Sequence, residues 1–190
     1  MIFHETTLAG AFLVELERHL DERGFFARTF DPEEFAAVGL TTEIVQMSIA
    51  RNTSAATIRG LHFQYPPFAE VKLVRCTRGA VHDVIVDLRP ESSTFGQCYA
   101  VDLDEDIGAT LCVPERFAHG YQTLTDEAEV TYAMTAPYAP DAAAGLRYDD
   151  PALGIRWPLP VTRISERDMS WPLLATTTAE LAERLVAVVD

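Results

Sequence analysis

The chain has 190 residues, and 15 Lys+Arg against 29 Asp+Glu give a formal net charge of −14. So acidic a protein is a poor partner for nucleic acid or anionic lipid, because neutralising phosphates takes a basic face. Hydrophobic content of 48% with 23% charged residues is ordinary globular usage, which excludes disorder, and no apolar run nears the roughly 20 residues that cross a bilayer.

A single domain over residues 1–190 is expected: an N-terminal segment to about residue 42, a core over about 43–136, and a C-terminal loop and helix over about 137–190. Met1-Ile2-Phe3-His4-Glu5 lacks the basic and apolar regions of a signal peptide. His4 and His19 sit among polar residues and read as surface groups. Asp31-Pro32-Glu33-Glu34 supplies an N-cap, a proline at N1 and a Glu at N3. That predicts a short helix with a capping box, stopped at Gly39.

From about residue 43 to 135 the texture is β. Val71–Cys76 alternates, Gly79 turns the chain, and Val81–Leu88 follows. Gln97–Leu103, Thr110–Pro114 and Glu129–Met134 continue the series. Short strands at regular spacing, broken by Gly, Pro and Asp, predict an antiparallel sandwich or barrel, and the spacing resembles a cupin-type jelly roll. Cys76, Cys98 and Cys112 follow no zinc-ligand spacing and read as reduced thiols buried in strands, which fits a cytoplasmic protein. Thr177–Val189 reads as a C-terminal helix with a possible capping box and an apolar stripe of Leu181, Leu185, Val188 and Val189.

Of the histidines, His82 lies beside Asp83 in a strand, so one of the two must point inward; a structural role is expected. His62, in Arg59-Gly60-Leu61-His62-Phe63-Gln64, shares a strand face with Gln64. His119 follows Pro114 at the entry to another strand. If both face one cavity, two chemistries compete. Metal-binding cupins use a His-x-His pair, a later Glu and a later His. Here Gln64 takes the place of the second His, Glu70 is displaced, and the nearby Lys72 opposes a dication. Metal-free acid–base work would use His62 as base, Lys72 as electrophile, and Tyr132 or Tyr138 as acid, with a carboxylate to orient the histidine.

At Arg59–Gln64 the sequence resembles the dTDP-4-dehydrorhamnose 3,5-epimerase family. The resemblance continues through Asp21–Phe26, Lys72–Gly79, Asp83–Arg89, Pro114–Gly120, Asp149–Pro158 and Ser165–Asp168. It implies a mostly β, cupin-type jelly-roll barrel with a short N-terminal helix and a C-terminal helix. It also implies an isomerase with no metal or other cofactor, usually a homodimer with exchanged N-terminal elements. The substrate it implies is a nucleotide-diphosphate sugar, a dTDP-linked 4-keto-6-deoxyhexose. The family's base falls on His62, its orienting carboxylate on Asp168, its acid on Tyr132, and its ketone-facing cation on Lys72. Substrate-contact positions fall on Arg23, Phe26, Gln46, Arg59, His119 and Tyr138, and Arg28, Ser48 and Arg167 are expected to bind substrate with them.

The chemistry agrees with that assignment. Protons beside a ketone become removable when the ketone oxygen holds the charge as an enolate, and a cation aimed at that oxygen stabilises it. The binding shell departs from the family: Met47-Ser48 stands for Asp-Asn, Arg28 and the Ala142–Ala144 run replace glutamates, and Arg167 replaces lysine. A metal-dependent cupin enzyme and a non-catalytic sugar-nucleotide binding module are the rival readings. Arg23, Arg59 and Lys72, with Arg28 and Arg167, are expected to form a local cationic pocket in an acidic shell.

Overall fold

The computed structural model describes residues 1–40 and 43–186. The elements run β1 (Ile2–Glu5), β2 (Phe12–Glu15), β3 (His19–Asp21), β4 (Gly24–Phe26), α1 (Pro32–Ala37), β5 (Gln46–Asn52), β6 (Ile58–Gln64), β7 (Lys72–Arg78) and β8 (Ala80–Asp87). There follow β9 (Cys98–Asp104), β10 (Thr110–Val113), β11 (Phe117–Thr123), β12 (Ala128–Met134), β13 (Ala143–Gly145), α2 (Glu166–Ser170) and α3 (Leu174–Arg184). One sheet has the order β1-β2-β10-β7-β12-β5 and the other β13-β6-β11-β8-β9, with β3-β4 as a separate hairpin. This is a jelly roll: apart from β1-β2, β3-β4 and β8-β9, the strands that pair are not consecutive in the chain, and the pairs are antiparallel.

Alternation along the strands builds three apolar layers. Val74, Cys76, Val81, Ile85, Leu103, Leu111 and Val130 meet between the two sheets. On the outer face of the five-stranded sheet, Leu61, Phe63, Val86 and Ala118 are covered by Leu174, Leu181 and Leu185 at the C-terminal helix. On the outer face of the six-stranded sheet, Val14, Leu73 and Cys112 are covered by Phe35 of α1. Each fully buried Leu or Phe contributes about 1.5–3 kcal/mol relative to exposure.

The structure corrects several local expectations. The N-terminal segment contains four short strands besides its helix. Asp31 caps α1 through Glu33 N at 3.0 Å and Glu34 N at 3.1 Å, but Glu34 does not complete a capping box. Its carboxylate binds the Met1 amine at 2.7 Å, a stronger partner than a backbone N–H. The C-terminal helix starts at Leu174, three residues before the expected Thr177, and has no side-chain cap. Thr177 is instead buried within the helix. Leu181 and Leu185 are buried as the stripe predicts, while Val188 and Val189 lie outside the described residues. At the His82-Asp83 pair, Asp83 points inward and His82 bonds Asp102 at 2.6 Å on the outer side.

Candidate active site

Strand alternation alone would place Arg59 and His62 on opposite faces, since they are three residues apart. Yet β6 pairs His62 with His119 and Arg59 with Tyr121, so β6 spends one more residue than β11 over this stretch. The bulge turns Arg59 to the face of His62 and Gln64. Two glycines let the strands close here. Gly60 has φ +116°, and a Cβ on it would sit 2.5 Å from Gly120 Cα. The result is a cavity of about 440 Å³ between the sheets, lined by His62, Lys72, His119, Tyr132, Arg59 and Asp168 among others.

His62 projects from β6 and Asp168 from α2. Ser165 caps α2 by accepting from Asp168 N at 3.0 Å, which fixes where the carboxylate starts. Asp168 Oδ1 then lies 2.6 Å from His62 Nε2, and Oδ2 accepts from Gly60 N at 3.3 Å. Burial alone would raise the Asp168 carboxyl. The hydrogen bond and charge of His62, with the Gly60 amide and Ser165, outweigh it and hold the group below the usual carboxylate range. An ionised Asp168 only accepts, so Nε2 carries the proton and Nδ1 is the basic nitrogen. Trp171 packs edge-on against the imidazole with ring centroids 6.3 Å apart.

Lys72 enters from β7 and is buried. Its Nζ is 3.1 Å from Glu70 Oε1 and donates to the His62 carbonyl at 3.1 Å. Gln64 donates to Glu70 Oε2 at 2.8 Å and accepts from Ala139 N at 2.7 Å. Thus the two side chains at the metal-cupin positions, Gln64 and Glu70, are committed to each other, and Glu70 also to Lys72. Among the described residues no three His, Cys, Asp or Glu side chains are placed to hold a metal ion.

His119 faces the same cavity from β11. Asp83 of β8 takes its Nε2 with both oxygens, at 2.9 and 3.0 Å, and both residues are buried. Asp83 was legible as an inward candidate, but nothing in the sequence links it to His119. Tyr132 comes from β12 in the opposite sheet from His62, with its ring 6.0 Å from that of His119. Burial above all, with the nearby Asp83 charge adding to it, pushes its phenol well above the ordinary range, so it is a firmly protonated donor.

Gln46, Ser48, Tyr138 and Arg167 also line the cavity. Gln46 accepts from Tyr138 N at 3.0 Å, and Arg167 reaches the Tyr138 hydroxyl at 3.5 Å. Met47 points the other way and is 75% exposed, while Ala143 and Ala144 leave their part of the wall without a carboxylate. The expected cationic pocket is divided. Arg59, Lys72 and Arg167 line the cavity; Arg23, Phe26 and Arg28 do not line that of their own chain. The β3–β4 turn directs Arg23 onto Asp21 at 2.5 Å, Phe26 is 72% exposed, and Arg28 pairs with Asp31 at 2.9 Å.

A family model described as dTDP-4-dehydrorhamnose 3,5-epimerase matches residues 5–176. The dTDP-4-dehydrorhamnose 3,5-epimerase of Sinorhizobium fredii is 42% identical, over 92% of this chain and 90% of its own. The solved dTDP-6-deoxy-D-glucose-3,5-epimerase of Legionella pneumophila, in complex with dTDP-4-keto-L-rhamnose, superposes with a TM-score of 0.90. It is 34% identical, over 98% of this chain and 99% of that one. A 3′-monoepimerase of Streptomyces bikiniensis, in complex with dTDP-quinovose, is 31% identical with a TM-score of 0.87, over 94% and 91% of the two chains.

Proposed function

Because the chain belongs to the dTDP-4-dehydrorhamnose 3,5-epimerase family, we propose that it inverts carbons beside the ketone of a dTDP-linked 4-keto-6-deoxyhexose, at C3, C5 or both. The protein is an isomerase, and the observation that carries the mechanism is the His62–Asp168 pair sharing one cavity with Lys72 and Tyr132. His62 Nδ1 removes the proton from the carbon next to the ketone. Lys72 stabilises the enolate oxygen, and Asp168 stabilises the imidazolium. Tyr132, from the opposite sheet, returns a proton to the other face. A positioned acid or base contributes about 10²–10⁴-fold each. No cofactor takes part in these steps.

Arg59, Arg167, Gln46, Ser48, His119 and Tyr138 bind the nucleotide-sugar, with the arginines on the diphosphate. Arg23, Phe26 and Arg28 act in a homodimer, reaching the partner's cavity. Two observations support the dimer. The β3–β4 hairpin leaves Leu20, Phe25 and Phe26 exposed, and the edge strand β5 leaves Met47 and Ile49 exposed. Light scattering tests it: wild type at twice the monomer mass, and Phe26→Asp shifted toward monomer. Free thiols at Cys76, Cys98 and Cys112 suit the cytoplasm.

The test of the reaction is incubation with dTDP-4-keto-6-deoxyglucose in D₂O, followed by NMR. Deuterium is expected at C3, C5 or both in the wild type and at neither in His62→Ala. A wild-type enzyme that exchanges neither proton, or a His62→Ala variant with full turnover, overturns the reading.

A further inference from the structure

Asn52 is the last residue of β5, at the edge of the six-stranded sheet, while Arg59 lies in β6 of the five-stranded sheet. The Asn52 side chain bridges the two sheets and is buried, 3% exposed. Its Oδ1 accepts from Arg59 Nε at 2.7 Å. Its Nδ2 donates to the Ala128 carbonyl of β12 at 3.3 Å and to the Tyr121 oxygen of β11 at 3.0 Å. A guanidinium only donates and a carbonyl only accepts, so these partners fix which end of the amide faces Arg59. Held at both ends inside the protein, the amide cannot turn away.

An acceptor on Nε sets the plane of the guanidinium and leaves its two Nη groups as a fork for one bidentate anion. Among the described residues neither Nη group of Arg59 has a hydrogen-bond partner, and no carboxylate pairs with it. Lys72 in the same cavity differs: Glu70 stands 3.1 Å from its Nζ and offsets its charge. The group behind Arg59 is a neutral amide, which directs the guanidinium without cancelling its charge. We propose that Asn52 is a positioning residue for nucleotide recognition: its amide aims the Arg59 fork at the substrate diphosphate and leaves the full charge of Arg59 to that anion. This inference rests on Arg59 binding the diphosphate.

The experiment measures binding of dTDP, and of thymidine, which carries no phosphate, by wild type, Asn52→Leu, Asn52→Asp, Arg59→Ala and the Asn52→Leu/Arg59→Ala double variant. Asn52→Leu keeps the size of the side chain but frees Arg59, and should weaken dTDP about tenfold, the scale of a hydrogen bond to a charged group. Thymidine binding should not change. With dTDP-4-keto-6-deoxyglucose, KM should rise by a similar factor with kcat within about threefold, the pattern of lost uniform binding. In the Arg59→Ala background, Asn52→Leu should add nothing, because the group it positions is gone. Should Asn52→Leu not fold, Asn52→Asp carries the test: it keeps the size and an acceptor on Nε but offsets the Arg59 charge, and should weaken dTDP while sparing thymidine. Wild-type dTDP affinity in the Asn52 variants, an equal loss of thymidine, or an undiminished effect of Asn52→Leu without Arg59 overturns the positioning role alone, while Arg59→Ala still weakens dTDP. An Arg59→Ala enzyme with wild-type dTDP affinity overturns the diphosphate assignment and the positioning role with it.

Discussion

His62 Nε2 and Asp168 Oδ1 stand 2.6 Å apart although 106 residues separate them in the chain. The contact joins a strand of the five-stranded sheet to a five-residue helix capped by Ser165. It fixes which imidazole nitrogen is basic. Asp168→Asn can present an amide N–H to Nε2 and reverse the tautomer, and it cannot stabilise the imidazolium. The expected result is a kcat lowered by about a hundredfold or more with the fold intact. Deuterium exchange rates and circular dichroism on the same sample check it.

The same pair sets an acid sensitivity. Asp168 is held below the usual carboxylate range in the fold. Between the folded and unfolded values the unfolded chain binds more protons, so stability rises with pH there. The contribution is complete above the unfolded value near 4 and is lost as pH falls through the lower folded value. Urea midpoints from pH 6 to pH 3 should therefore fall more steeply in wild type than in Asp168→Asn.

Gly60→Ala tests the bulge that gathers the site. The new methyl would meet Gly120 Cα at 2.5 Å and the His119 carbonyl at 2.7 Å, on a backbone at φ +116°. Strain and overpacking together should cost about 2–5 kcal/mol. Residual folded enzyme should be inactive, because Arg59, His62 and the amide that binds Asp168 share this turn. Thermal melts and activity per folded molecule measure the two effects separately.

The buried thiols should be inert. Burial pushes Cys76 up to about 11 and Cys112 up to about 12, so almost no thiolate exists at neutral pH. In the native protein a thiol reagent at pH 8 should modify neither, and both should react at once in denaturant. Mass spectrometry of labelled peptides reads the outcome residue by residue.

Phe35 is fully buried and meets Phe3 edge-on with centroids 5.1 Å apart. It is the one buried residue of α1, so truncation removes the helix's anchor on the outer sheet face. Phe35→Ala should destabilise the protein by about 3–5 kcal/mol, while the cavity residues, which lie on the inner face, keep their geometry. Denaturant unfolding checks the first and kcat below the transition checks the second.

Local sequence determined the strands of the core, the Asp31 cap, the alternation of Val71–Cys76, and the shared face of His62 and Gln64. Each follows from period-two alternation or from a side chain bonding its own backbone, interactions that span a few residues. The motifs from Arg59–Gln64 to Ser165–Asp168 also carried the family. Tertiary structure alone decided the rest. Arg59 joins His62 only because β6 bulges against β11, and Asp83 serves His119 only because β8 and β11 pair in one register. Glu34 abandoned its capping box for the Met1 amine, and Thr177 became a buried helical residue rather than a cap. The acidic total of the chain said nothing about its cavity, where Arg59, Lys72 and Arg167 converge while Arg23 and Arg28 bind acids near them in sequence. Such choices turn on which distant strand supplies the neighbour, and no periodicity within one segment encodes that.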